Sequence, residues 1–412
     1  MRAMRIGPAV GYRFGPFASV AMTDPDAIKA LLVDRHDDFE KGAFVAGLEP
    51  LIGYGLLTAD RETNKRQRKL VAPAFHHQRV AGYAESMAAY SRDVVCAWPD
   101  AGAIDVHAEM TRLTLRIVGK TLFDADVSAE SQQVGDALTE TLEFIAHRQR
   151  SWPQLPLALP MPAHQRFRKA RGKLDATLNN MIASRRASGA DRGDLLSMLL
   201  RSEDEAGGVM SVRQARDEAM TLFLAGHETT ANALTWTLHL LAQHRDVWVK
   251  LREEVVRVLN GRPVTPHDLP NLPYTLQVFQ EGMRLFPPAY VFGRQAIRDV
   301  ALGRWQIKSG ETVAVCAYAL HRDPALWESP EAFQPERFEA QNVALRHKYA
   351  YLPFGGGPRV CIGNQFALME GQIILATIVQ RVRLELLADR VLPDPHVTLR
   401  PQGKVMMKVR RL

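Results

Sequence analysis

Cys361 is the residue best placed to do chemistry. It lies near the end of the segment Phe354-Gly355-Gly356-Gly357-Pro358-Arg359-Val360-Cys361-Ile362-Gly363, ahead of an amphipathic helix expected to run through about Val379. Three glycines let the backbone fold tightly and approach something closely. Amide N–H groups at the start of a helix favour the thiolate over the thiol, and the thiolate is the form that binds metals. A lone cysteine in such a place is most often a small buried residue, but the glycines, Phe354 and Arg359 argue for more. A second group is Ala225-Gly226-His227-Glu228-Thr229-Thr230. By helical spacing Ala225, Gly226 and Thr229 share one face and form a small-residue notch beside a hydroxyl. Taken alone, Gly226 reads as a helix flaw and Thr229 as back-bonded to Ala225. A third group, Glu281 and Arg284, stands at i, i+3 on a helix; such pairs are common and weak when exposed.

Helices must position these groups, because apolar residues return every three to four places along most of the chain. Thr23-Asp24-Pro25 caps a helix running to about Val33, and others are expected near 61–71, 78–97, 106–122, 131–148, 163–187 and 211–244. At 1.5 Å per residue the last is roughly 50 Å long. It is apolar on most faces from Met220 onward and belongs in the middle of a domain. Strand character appears at 10–22, at 290–318 and near the C-terminus. The proline-rich stretches Trp152 to Pro162 and Pro263 to Pro273 read as loops inside one domain. The expected architecture is therefore mostly α with a small β subdomain, forming a single domain over residues 1–412.

Composition narrows the function classes. The 412 residues are 46% hydrophobic and 24% charged, with 28 Gly and 24 Pro, which argues against long disorder and coiled coil. The net charge of +7 favours an acidic partner but is too diluted to imply nucleic acid. Cys96, Cys316 and Cys361 are far apart, which argues against a disulfide framework or a cysteine-built zinc site and for a reducing, cytoplasmic setting. None of the 13 histidines falls in an H-E-x-x-H pattern. No apolar run reaches the roughly 18 residues of a membrane span.

The pattern aromatic-x-Gly-x-x-x-Arg-x-Cys-x-Gly at 354–363 resembles the haem-binding loop of the cytochrome P450 family, and the other motifs follow in that family's order from about Phe14 to Leu412. The resemblance implies b-type haem with Cys361 as its axial thiolate, a ligation known for this chemistry. Phe354 would pack near the sulfur, and Arg359 would pair with a haem propionate. Ala225 and Gly226 would form the oxygen-binding groove, with Glu228 and Thr229 as the acid and alcohol that deliver protons. Glu281 and Arg284 would join Arg337, from Phe333-Gln334-Pro335-Glu336-Arg337-Phe338, in a buried structural triad. His321-Arg322-Asp323-Pro324 and Trp327 fall at the family's spacing before that motif. Arg68 and Arg294 match the other propionate arginines, while Asn64 stands where relatives usually carry a ring residue. The chain begins closer to its first strand than relatives usually do.

The implied activity is insertion of one oxygen atom of O2 into a small apolar organic substrate by a monomeric monooxygenase. The fold also includes peroxide-using and isomerising members, and a non-catalytic haem protein is a further alternative. The haem domain accounts for the whole chain, so electrons would come from separate proteins: an acidic ferredoxin or flavodoxin and an NAD(P)H-dependent reductase. Two basic clusters are expected to receive that partner, one of Arg61, Lys65, Arg66 and Lys69, the other of Arg346, His347 and Lys348. Phe44, Leu48, Leu51, Tyr54, Phe223, Leu224 and the stretch from Ala289 to Phe292 are expected to line the substrate pocket.

Overall fold

The computed structural model describes residues 7–14, 17–125, 131–151, 154–189, 191–192, 194–201, 210–387 and 390–412. Its axis is the helix Val212–Gln243, started by Ser211, whose hydroxyl accepts from Gln214 N–H. From Ala215 to Leu241 this central helix is buried except at Ala225, Gly226 and Thr229. Neighbours close on it wherever a glycine removes a side chain. A Cβ at Gly226 would lie 2.9 Å from the Val118 side chain on the helix Val106–Phe123, and one at Gly282, on the helix Pro273–Leu285, would lie 2.1 Å from Thr237 Oγ1. The cysteine helix, Asn364–Arg381, packs on His77–Ala97 and, through Gly371 against Phe279, on Pro273–Leu285.

The expected β subdomain is a five-stranded sheet in the order Ala9–Phe14, Phe17–Met22, Thr312–Val315, Phe292–Ala296, Phe39–Glu40. Phe17–Met22 runs parallel to Thr312–Val315, with Val20 opposite Val313, and the other pairs are antiparallel. Its inner face builds a second, smaller core from Ile28, Leu31, Phe39, Val313, Val315, Leu320 and Leu352. Near the C-terminus, Met406–Arg411 lies between Ala101–Asp105 and Val382–Leu386, and a short hairpin pairs Pro393–Pro395 with Leu399–Pro401.

Several boundaries differ from the periodicity reading. The helix begun at Pro25 widens into a π-turn over Ala30–Asp34. Helices also form at Leu195–Arg201 and Arg245–Leu259, and the helix expected to carry Glu281 and Arg284 spans Pro273–Leu285. The stretch 263–273 is less of a loop than expected: Thr265 and Asp268 form a capping box at the start of a 3-10 helix, Pro266–Asn271. Trp152 and Pro153, in the other proline-rich stretch, lie outside the described residues. Among the described residues no helix is long and apolar enough to cross a membrane.

Candidate active site around Cys361

The loop before the cysteine helix is shaped by two positive-φ glycines, Gly355 (φ 68°) and Gly357 (φ 67°). At Gly357 a Cβ would stand 1.8 Å from the Leu32 carbonyl oxygen, so this position requires glycine for space as well as for conformation. Cys361 N–H donates to Phe354 O at 2.9 Å and closes the loop. Two expectations for Cys361 need correction. It lies three residues before the first helical residue, Asn364, rather than at the helix start. Burial pushes its thiol up, against smaller opposite pulls from the Gly363 amide and Arg68, so the protein alone does not favour the thiolate. A bound metal ion would. Cys361 nonetheless keeps open surface. Phe354 is half-buried against the main core.

Cations gather beside this loop. Arg68, on the helix Arg61–Val71, donates to Val360 O (2.8 Å), and Arg359 donates to Ala59 O (3.1 Å). Arg294, on the strand between Thr312–Val315 and Phe39–Glu40, bonds among the described residues only to the adjacent Gly293 O (2.9 Å). Lys41, absent from the sequence expectations, joins them. Pairing of Phe39–Glu40 with Gln295–Ala296 brings it to the strand of Arg294, and its ammonium donates to Leu56 O (3.2 Å) and Leu57 O. Burial, then Arg359, Arg294 and Arg68, hold Lys41 well below the ordinary lysine range. Burial and Arg359 lower Arg294 to about 10. Among the described residues none of these four cations forms an ion pair with a carboxylate. Such a set is costly unless a multiply anionic group meets it, and the two carboxylates of haem fit that demand.

Asn64 is placed differently. It is buried and gives its amide to Leu56 O (2.6 Å), which makes it a tie of the loop at 53–59. The same loop is clasped to the central helix, with Tyr54 N–H on Asp217 Oδ2 (3.0 Å) and Leu56 N–H on Glu218 Oε2 (2.9 Å). Glu218 is fully buried with Oε1 unpartnered among the described residues, and burial raises it to about 7.

Mid-way along the central helix, Thr229 Oγ1 donates to Ala225 O (2.8 Å) and Thr230 Oγ1 to Gly226 O (3.3 Å). The back-bonding and the open notch therefore coexist. Glu228 is tied down on another face, accepting from Arg400 Nε (2.6 Å), Thr398 Oγ1 (2.8 Å) and Asn232 Nδ2 (3.1 Å). Burial alone would raise its pKa, but Arg400, His227 and these donors together take it down to about 2. The half-buried His107 reaches the same cluster, Nε2 to Asn232 Oδ1 (3.1 Å). No local pattern marks Arg400, Thr398, Asn232 or His107, because the hairpin that carries the first two meets the central helix only in the folded chain.

The triad assembles. Arg284 makes a bidentate pair with Glu281 (2.7 and 2.8 Å), both fully buried, and Arg337 Nε stands 3.4 Å from Glu281 Oε1. The second basic cluster does not form as expected: Arg346 lies over the rings of Trp327, Phe338 and Tyr351 and donates to Arg337 O, while His347 meets Asp26 (3.2 Å). In the first cluster Lys65, Arg66 and Lys69 are exposed, and Arg61 contacts Asp37. Of the apolar residues expected to line a pocket, Leu51 and Phe223 are sealed in the core, whereas Phe44 and Tyr54 are exposed and Phe292 is half-open.

Residues 2–409 match the family described as Cytochrome P450. Cyclooctatin synthase of Streptomyces melanosporofaciens is 38% identical over 400 residues, covering 96% of this chain and 86% of that protein. Cyclooctat-9-en-7-ol 5-monooxygenase of the same organism is 33% identical, covering 95% and 84%. Pentalenene oxygenase of Streptomyces avermitilis is 31% identical, covering 96% and 86%.

Proposed function

The chain belongs to the cytochrome P450 family and is a haem-dependent monooxygenase, and from that premise we propose which residues carry the activity and what it acts on. The observation that carries the assignment is the glycine-shaped Cys361 loop beside four cations that form no ion pair with a carboxylate among the described residues. In this reading Cys361 Sγ is the iron ligand. Arg68, Arg294, Arg359 and Lys41 hold the two propionates, and Asn64 steadies the loop at 53–59 that Lys41 and Arg359 also grip. When bound, thiolate-ligated haem supplies oxygen activation, the thiolate pushing electron density toward O–O cleavage.

The protein's own part is to admit small molecules and protons. Ala225 and Gly226, with Thr229, leave the central helix open where the rest of its Ala215–Leu241 stretch is buried. The Thr229 hydroxyl sits at that opening; its hydrogen goes to Ala225 O, which leaves the oxygen lone pairs to accept from and order a proton-delivering water. Glu228 is an ionised carboxylate held by Arg400, so its contribution is to attract and orient incoming protons rather than to store one. The relatives' names specify cyclooctat-9-en-7-ol and pentalenene, and the apolar side chains Phe44, Ala225 and Phe292, each of which keeps open surface, suit a compact, terpene-like substrate of that kind. Electrons come from separate redox proteins, and the exposed Lys65, Arg66 and Lys69 suit an acidic ferredoxin or flavodoxin.

The purified protein, reduced under carbon monoxide, is expected to show the strongly red-shifted Soret band of thiolate ligation. Cys361→His should abolish that band. A band that survives this substitution refutes the ligand assignment. NAD(P)H consumption with surrogate redox partners, coupled to a hydroxylated or epoxidised product, separates a monooxygenase from a peroxide user or a silent haem protein.

A further inference from the structure

His321 lies between the charge triad and the cysteine loop and is completely buried. Its carbonyl oxygen accepts from Arg284 Nη1 (2.7 Å). Its ring joins two main-chain groups on separate segments: Nδ1 is 3.2 Å from Arg284 O, and Nε2 is 2.9 Å from Leu352 N. A carbonyl oxygen can only accept and an amide N–H can only donate, so both bonds exist together in one state alone, with hydrogen on Nδ1 and a lone pair on Nε2. An imidazolium would set N–H against N–H at Leu352. Burial, followed by Arg284, Arg322 and Arg346, takes the ring down to about 3 and keeps it neutral. The rings of Tyr351 and Trp327 lie alongside, at centroid distances of 5.2 and 6.5 Å.

Leu352 is anchored in the smaller core and leads directly into the cysteine loop. The loop's own bonds, Gly355 N to Leu352 O, Val360 N to Gly357 O and Cys361 N to Phe354 O, set its shape but not its place. Among the described residues, its side-chain ties to the rest of the protein are Arg68 on Val360 O, Arg359 on Ala59 O and His321 on Leu352 N. Both arginines are also assigned to the cofactor's carboxylates. His321 is thus the tie whose partners are all protein.

We propose that His321 is a positioning residue for the iron ligand: a neutral imidazole with its proton on Nδ1 that locks Leu352, and with it the 352–361 loop, to the helix carrying Glu281 and Arg284. The proposal rests on Cys361 being that ligand. Register set nine residues upstream reaches the sulfur because the intervening turn is closed by its own hydrogen bonds and moves as a unit.

The test compares wild-type holoprotein with His321→Gln, which offers both an N–H donor and a carbonyl acceptor, and with His321→Phe and His321→Met, which fill the space with no donor and at most a weak acceptor. Each is reduced under carbon monoxide, and the lifetime of the red-shifted Soret band is followed together with the ferric/ferrous midpoint potential and the melting temperature. The Phe and Met proteins are expected to lose the band roughly five-fold faster or more and to show a higher potential, since a loosened thiolate donates less density to ferric iron. The Gln protein should stay within about two-fold of wild type. Equal lifetimes in all four proteins, or lifetimes that follow melting temperature alone, overturn the proposal. If the Phe and Met proteins do not fold, the His321 15N resonances of the diamagnetic wild-type carbon monoxide complex decide. A protonated Nδ1 and bare Nε2 from about pH 5.5 to about pH 8.5 support the proposal, and the other tautomer or a titrating ring overturns it. Wild-type protein without the red-shifted band refutes the Cys361 assignment and this proposal with it; a band indifferent to position 321 refutes this proposal alone.

Discussion

Replacing Glu218 by Gln should stabilise the protein at alkaline pH and leave it nearly unchanged at acid pH. The wild-type carboxyl is fully buried, holds one hydrogen bond from Leu56 N–H and has an unpartnered second oxygen among the described residues. Burial lifts it from 4.5 to about 7, with the charge of Asp217 adding to the lift and Lys41 opposing it. Below the unfolded value of 4.5 the group is neutral in both states and costs nothing. Between there and about 7 the folded state binds the extra proton, so stability falls as pH rises, by about 1.4 kcal/mol per pH unit. Above about 7 the full penalty, on the order of 3 kcal/mol, is present. Gln stays neutral at every pH and removes it; the preference of the Leu56 N–H for the carboxylate is already contained in the value of about 7. The gain near pH 8 is therefore about 3 kcal/mol, or roughly 3–4 °C in melting temperature for a chain this long. Calorimetry of both holoproteins at steps from about pH 5 to about pH 8 should show the difference opening as pH rises. A Gln protein less stable at the alkaline end, or a difference that does not change with pH, would refute the reasoning.

Three other outcomes are expected. Gly357→Ala places a methyl group against the Leu32 carbonyl at a positive φ, so the loop must shift and haem content of the purified protein should fall several-fold; full occupancy with an unaltered spectrum would contradict it. Thr229→Ala should leave substrate affinity nearly unchanged while diverting NAD(P)H equivalents to hydrogen peroxide, because the hydroxyl at the helix opening is lost; unchanged coupling to product counts against that role. Lys65→Glu with Lys69→Glu should slow reduction by an acidic partner several-fold at low ionic strength, with most of the effect gone in high salt; a rate indifferent to both substitutions and salt rules the face out. Arg346 is left out of that test because its guanidinium is spent on the Trp327, Phe338 and Tyr351 rings.

Local sequence carries what local physics controls. The glycines before Cys361, the length of the central helix, the spacing of Glu281 and Arg284 and the small-residue notch at Ala225 are all readable because each follows from neighbours within a few residues. Boundaries were less readable where tertiary packing competes with propensity. The π-turn at Ala30–Asp34 and the 3-10 helix at Pro266–Asn271 are examples, the latter held by a capping box inside a proline-rich stretch.

Pairwise geometry between distant segments is another matter. Lys41 follows a two-residue strand and becomes a member of the cation set only because Phe39–Glu40 pairs with Gln295–Ala296. Arg400 and Thr398 reach Glu228 across some 170 residues of chain, and that contact outweighs burial and takes its carboxyl down to about 2. The tautomer of His321 is set by two main-chain atoms on segments that meet only in the fold. Residue types and short spacings determine which chemistry this protein has the means to perform, because glycine, cysteine and helical periodicity act within one turn. Which charges face one another, and so which groups are ionised, depends on distances of a few ångströms between remote residues, and only the tertiary structure sets those.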